Sequence, residues 1–398
     1  RLARPLAILL TSALLMLGAP AARADEGPCV GAERLVPGEG TSGSSSLEFR
    51  QNAEPFDAVC LPEAWAFMAN RWQAQRISIP RWPFAVVIDD GFFNQPDVGV
   101  RAENHPGYPD GSLSFPGGTA LGDPAVGYGH HGTRVLSLLA SEGNNGLQIV
   151  GAASPWAGGG GSSKRGPTYI PVRIGEGGFL DDEIGYLSDV FDDVVFAFHE
   201  ARLVNLSQDL LSVDRSKAGD IETRLKEAKW RQVVVVTGAG NDGRTVDPAH
   251  WIRDHANVVV VGALNRRGDD LWRAGFGGGT GTGGGVDLYA PGQDLVVADR
   301  WGAMTADSGT SYAAPLVTGV VAMVQNLAPT LDAPAVRSLL VETGDKIATS
   351  GGDVRRLNAY QAVTCAATIH VNRYAPGHYQ WTCRPAIGAP LGATYSLY

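Results

Sequence analysis

Three side chains that together can make a hydroxyl nucleophilic lie far apart in this chain: a carboxylate at Asp89, an imidazole at His131 and a hydroxyl at Ser311. A serine attacks a carbonyl carbon when a base takes its proton, and an imidazole titrating near working pH suits that task. A carboxylate behind the imidazole would fix its tautomer and stabilise the imidazolium. Each residue alone has a commoner use: helix N-cap for Ser311, surface residue for His131, turn or cap for Asp89. What favours chemistry is where the sequence places them.

Ser311 sits in Asp307-Ser308-Gly309-Thr310-Ser311-Tyr312-Ala313-Ala314-Pro315, which runs into an almost wholly apolar stretch ending near Val324. This pattern predicts a buried helix with Ser311 among its first residues. Pro315 is expected in the first turn, where a missing N–H costs no hydrogen bond. Free backbone N–H groups and the positive end of the helix dipole suit an attack that develops an oxyanion. Asp89 closes the apolar run Phe84-Ala85-Val86-Val87-Ile88, a strand buried on both faces. Its carboxyl end is where open α/β sheets build sites. His131 lies in Gly129-His130-His131-Gly132-Thr133, a loop entering a helix through Ala140.

Further apolar runs predict strands at residues 168–174, 203–207, 232–237 and 258–263, with helices over 184–202, 221–230 and 333–342 between or after them. Strands alternating with helices give an α/β fold: a three-layer sandwich with a mostly parallel central sheet flanked by helices.

Residues 1–24 read as a signal peptide, with Arg1 and Arg4, an apolar core from Leu6 to Leu17 too short to span a bilayer, and an Ala22-Arg23-Ala24 cleavage site. The expectation is a secreted protein, extracellular or periplasmic, with no membrane attachment after cleavage. Net charge is −9, which argues against a broad nucleic-acid surface. The four cysteines, Cys29, Cys60, Cys365 and Cys383, admit three pairings, and their grouping suggests Cys29–Cys60 and Cys365–Cys383. No cysteine or histidine spacing supports zinc, so no metal ligand is assigned. Residues 25–81 form an N-terminal extension or short prosegment, with one short helix over 62–75. The main domain spans 82–363. Residues 364–398 form a small stapled tail with a hairpin turning at Pro376-Gly377.

The order Asp…His…Ser is that of subtilisin, distinct from chymotrypsin and the α/β-hydrolases. The chain resembles the subtilisin-like serine peptidases, the subtilases, over residues 82–363. The resemblance rests on Val87-Ile88-Asp89-Asp90-Gly91, His131-Gly132-Thr133 and Gly309-Thr310-Ser311-Tyr312-Ala313-Ala314-Pro315. Weaker matches are Gln95-Pro96-Asp97-Val98, Asn144-Asn145-Gly146, Gly238-Ala239-Gly240-Asn241 and Ala290-Pro291-Gly292. It implies an endopeptidase acting on proteins or peptides through an acyl-enzyme, with Asp89, His131 and Ser311 as triad and Asn241 as oxyanion donor. It also implies substrate binding by Ser207 and Gly238. No cofactor is implied for the chemistry. A structural calcium ion is admitted by the family, although Asp97, Asp110 and Asp123 assemble into no ligand set.

Departures from the family pattern are Asp90 where Ser or Thr is usual, Arg134 where a second His is common, and Tyr312 where Met is frequent. Gln208-Asp209 replaces a Gly-Gly pair in the substrate-binding strand, and an acid there gives an expectation of preference for basic side chains. A dinucleotide-binding reading of Gly238-x-Gly240-x-x-Gly243 fails because no apolar helix opens at its third glycine. The alternative from another class is a non-catalytic protein-binding module on the same scaffold. The sequence does not address oligomeric state.

Overall fold

Central strands buried on both faces decide the architecture. The computed structural model describes Cys29, Ala32, Arg34, Asp97, Asn145, Leu147 and residues 47–74, 82–93, 113–114, 130–143, 149–153, 166–174, 180–274, 278–368, 370–375, 378–382 and 394–396. The proposed signal peptide, Asp110, Asp123, Cys383 and the Pro376-Gly377 turn lie outside these. Strands β1 (Phe84–Asp89), β2 (Leu113–Ser114), β3 (Thr168–Arg173), β4 (Ala201–Leu206), β5 (Val234–Gly238), β6 (Val258–Leu264) and β7 (Leu288–Pro291) are followed by two hairpins. These are β8 (Leu295–Ala298) with β9 (Met304–Asp307), and β10 (Asp345–Thr349) with β11 (Gly352–Arg356).

The main sheet has nine strands in the order β10-β11-β7-β6-β5-β4-β1-β3-β2. All neighbours are parallel except β10 and β11. On β1, Ala85 and Val87 face one core cluster while Val86 and Ile88 face the other. The first cluster is closed by α4 (His130–Ala140), α7 (Thr310–Leu327), α8 (Ala333–Thr343) and α9 (Ala359–Thr368). The second is closed by α5 (Leu180–Val190) and α6 (Gly219–Trp230). Two apolar faces on one sheet require two helical layers, hence the three-layer sandwich.

The N-terminal extension carries three short helices, α1 (Leu47–Arg50), α2 (Ala53–Ala58) and α3 (Leu61–Ala74), rather than one. Phe49, Phe56, Trp65 and Met68 join the α7 side of the core. The Trp65 indole N–H donates to Ala152 O at 2.9 Å. The Asn52 amide both donates to Val296 O (2.7 Å) and accepts from Val296 N–H (2.9 Å), as a neighbouring strand would. Cys29 and Cys60 are bonded as expected, and Cys365 is also disulfide-bonded.

One expectation is corrected. The helix read over 184–202 is α5 from Leu180 to Val190, a wide π turn over Phe191–Val195, and then β4 from Ala201. Ala201 pairs with Phe84 of β1, so sheet pairing overrides the helical spacing there. The expected boundary at residue 363 falls inside α9. Beyond it, β12 (His370–Ala375), β13 (His378–Thr382) and β14 (Thr394–Ser396) form a separate antiparallel sheet.

Candidate active site

The carboxyl ends of β1, β4 and β5 converge on the start of α7. Asp89 ends β1 and is fully buried. Its Oδ1 is 2.7 Å from His131 Nδ1 and accepts the Asp90 N–H at 2.8 Å. Among the described residues its Oδ2 has no hydrogen-bond partner, so the charge is only partly satisfied and lies close to the imidazole. Asp90 does a different job. Its Oδ1 accepts the Gly132 N–H at 2.9 Å, satisfying a free donor in the first turn of α4. Gly132 is small by necessity, since a Cβ there would lie 2.2 Å from Gly91 O and 2.9 Å from Asp89 Cβ.

Burial disfavours the protonated form of His131. The Asp89 charge and hydrogen bond outweigh it, Asp90 and Asp307 add to them, and the pKa is pushed up to about 9. Burial and the Asp89 charge likewise raise Asp90, to about 6.

Ser311 is the second residue of α7. Its hydroxyl donates to Ser207 O at 3.1 Å rather than to His131, so attack requires rotation about the side chain. Pro315 is the sixth residue of α7, not part of its first turn, and its missing N–H would have bonded the Ser311 carbonyl. Ser207 compensates: its hydroxyl donates to Ser311 O at 3.0 Å. The Ser207 oxygen is oriented by Asn205 Nδ2 at 2.9 Å, and Asn205 Oδ1 accepts from the Thr318 hydroxyl at 2.8 Å. Ser207, expected as a substrate-binding residue, fixes the turn that carries Ser311.

Asn241 follows β5. Its Oδ1 accepts the Thr310 backbone N–H (2.8 Å) and hydroxyl (3.0 Å). Because a backbone N–H can only donate, the oxygen must face Thr310, leaving the amide N–H groups for the cleft. Gly238 is buried, and a Cβ on it would come within 2.7 Å of Thr310 Oγ1. Close helix packing accounts for that glycine.

His131, Asn241 and Ser311 line one cavity of about 320 Å³ with Ser207, Gly238 and Asp209. The Asp209 Oδ2 is paired with Arg244 Nη2 at 2.7 Å, and Arg244 also pairs with Asp242. Burial pushes the Asp209 pKa up against the opposing Arg244 charge. The acid expected to select basic side chains thus already carries a cation. Asp97 and Asn145, from two of the weaker motifs, meet directly: Asn145 Nδ2 donates to Asp97 Oδ1 at 2.9 Å, and the Ile149 N–H occupies Oδ2 at 3.1 Å. Both Asp97 oxygens are thus turned to protein donors, and among the described residues no acidic, His or Cys cluster is arranged for a metal.

A family model described as the subtilase family matches residues 86–361. The chain belongs to the subtilase family. Its relatives include an extracellular protease of Xanthomonas campestris pv. campestris, 32% identical over 270 residues, covering 62% of this chain and 42% of the relative. A thermophilic serine proteinase of Bacillus sp. (strain AK1) is 32% identical over 241 residues, covering 59% and 52%. The chain spans about half the length of these curated relatives. The fold is also that of a protease from Pseudoalteromonas arctica PAMC 21717, with a TM-score of 0.54 at 19% identity, covering 80% of this chain and 98% of that one.

The subtilase motifs point to Asp89, His131, Ser311 and Asn241. They do not reveal Thr310, Asn205 or Thr318, which hold those residues in place, nor the carboxylates Asp299 and Asp307 around Arg134. The only sequence clue to that last group is a cation one turn after His130 in an acidic chain.

Proposed function

We propose that this subtilase is a secreted serine endopeptidase that hydrolyses proteins or peptides through Asp89, His131 and Ser311. The observation carrying the reading is the 2.7 Å contact between Asp89 and His131 Nδ1, which leaves the other imidazole nitrogen for the Ser311 hydroxyl in the same cleft. On substrate binding the hydroxyl leaves Ser207 O, gives its proton to His131 Nε2, and forms a bond to the scissile carbonyl carbon. The developing oxyanion is held by the Asn241 amide and the Ser311 backbone N–H at the start of α7. His131 then protonates the leaving amine, and a water molecule, deprotonated by His131, hydrolyses the ester.

The Cys29–Cys60 bond supports an oxidising compartment. Among the described residues no helix is long and apolar enough to cross a membrane. Residues 25–81 are read as staying attached, because their helices contribute to the core. The test is fluorophosphonate labelling and casein digestion beside Ser311→Ala. Loss of both signals in the variant is expected; equal signals would overturn the assignment. A folded protein with neither signal would favour the binding-module alternative.

A further inference from the structure

Two departures from the family pattern, Arg134 and Tyr312, belong to one hydrogen-bonded network. The Tyr312 hydroxyl donates to Asp307 Oδ2 at 2.6 Å. Arg134 Nη1 donates to the same oxygen at 2.7 Å. Arg134 Nε and Nη2 reach Asp299 Oδ2 at 3.2 and 2.6 Å, and Asp299 Oδ1 lies 2.7 Å from His130 Nδ1. The path runs from the residue after the nucleophile, across the β8–β9 hairpin, and back to the helix that carries His131. Its starting end also meets the imidazole: the Tyr312 and His131 rings lie 5.6 Å apart between centroids, inclined at 50°. Tyr312 is 3% exposed, so the ring has little room to move.

Asp89 grips His131 only at Nδ1, about which the ring can still swing. A second contact is needed to hold the other nitrogen toward Ser311. We propose that Tyr312, anchored by Asp307 and Arg134, is a positioning residue for His131, bracing the imidazole with its ring. Two carboxylates against one guanidinium also leave negative charge beside the base when it is protonated. The groups facing the imidazole are Asp89 and Asp90 from the end of β1, Asp307 from β9, and Tyr312 from α7. Burial and the Asp307 charge raise the Tyr312 pKa, so its hydroxyl stays a donor.

The inference rests on His131 being the general base, and the experiment separates the two. In the full chain, Tyr312→Leu should lower kcat about tenfold or more with KM little changed, because misorientation of a reacting group is felt in the chemical step. Tyr312→Phe, which keeps the ring and loses the anchor, should fall between. Asp307→Asn should lower the His131 titration midpoint by about half a pH unit, in the acid limb of kcat/KM and in imidazole NMR of a Ser311→Ala protein. Unchanged kcat in both Tyr312 variants with an unmoved titration would overturn the proposal, as would losses confined to KM. If Tyr312→Leu does not fold, Tyr312→Phe and Asp307→Asn carry the test. Absence of Ser311-dependent turnover in the wild type would count against the endopeptidase reading alone, since the NMR titration needs no turnover.

Discussion

Substituting Gly238 by alanine tests whether tight packing against α7 sets the position of the nucleophile. The new Cβ would lie 2.7 Å from Thr310 Oγ1, 3.2 Å from its Cβ and 3.4 Å from its carbonyl carbon. The first two are too close, so the start of α7 must retreat by roughly half an ångström, at a cost of about 1–3 kcal/mol typical of overpacked cores. Thr310 is tied to Asn241 through its N–H and hydroxyl and is followed by Ser311, so one movement displaces both Asn241 and Ser311. Gly238→Ala should therefore lose about tenfold to a hundredfold in kcat on a chromogenic peptide, with a smaller change in KM. Its melting temperature, read in a Ser311→Ala background to prevent autolysis, should fall by about 2–5 °C for a chain of this size. Adding Thr310→Ala removes the obstructing hydroxyl and should recover part of the stability, a positive coupling of about 0.5–3 kcal/mol. A Gly238→Ala enzyme with normal kcat and melting would refute the reasoning. A loss confined to KM and blind to Thr310→Ala would make Gly238 a wall of the substrate cleft instead.

Other outcomes follow from the same geometry. With the His131 pKa near 9, the unprotonated base accumulates only as pH rises, so kcat/KM should climb to a half-maximum close to pH 9; a half-maximum below 7 contradicts the Asp89, Asp90 and Asp307 contributions. Asn241→Ala should cost about 3 kcal/mol of transition-state stabilisation, seen in kcat rather than KM, a magnitude taken from oxyanion-hole substitutions in subtilisin, a relative of this chain. Arg244→Ala should release the Asp209 carboxylate and raise the preference for Lys and Arg beside the scissile bond in a peptide library; an unchanged profile would place Asp209 outside the specificity pocket. Asn52→Ala strips two hydrogen bonds from Val296 and should destabilise the fold by about 2–3 kcal/mol, measured by denaturant melting of the Ser311→Ala protein.

The sheet and the candidate site residues were legible because both leave strong local marks. Buried parallel strands are unbroken apolar runs, and β1, β5 and β6 begin and end within two residues of the expected positions. The triad candidates stand beside glycines and turns that few other uses require. The supports were not legible. Ser207 replaces a hydrogen bond deleted by Pro315, more than a hundred residues away, and nothing local marks that relation. The β8–β9 and β10–β11 hairpins have mixed patterns because their outer faces are wet, as the alternating burial of β9 and β10 shows. The segment after Val190 misled through its bulky apolar spacing, which continues into a π turn before the sheet takes over.

The side chain of Asn52 pairs with Val296 as a strand would, and Val59 O accepts the Ala359 N–H at the start of α9. A chain cut between Ala74 and Trp82 would therefore not let its amino-terminal piece go. Phe49, Phe56, Trp65 and Met68 would stay sunk in the core of the other fragment. Processing there would yield a nicked, two-chain enzyme that migrates as one species under native conditions and as two in detergent. Departure of the smaller chain would lay open both an apolar wall and an unpaired strand edge, the combination that invites aggregation. Cutting the chain and releasing its amino-terminal piece would therefore be separate events, and the packing opposes the second.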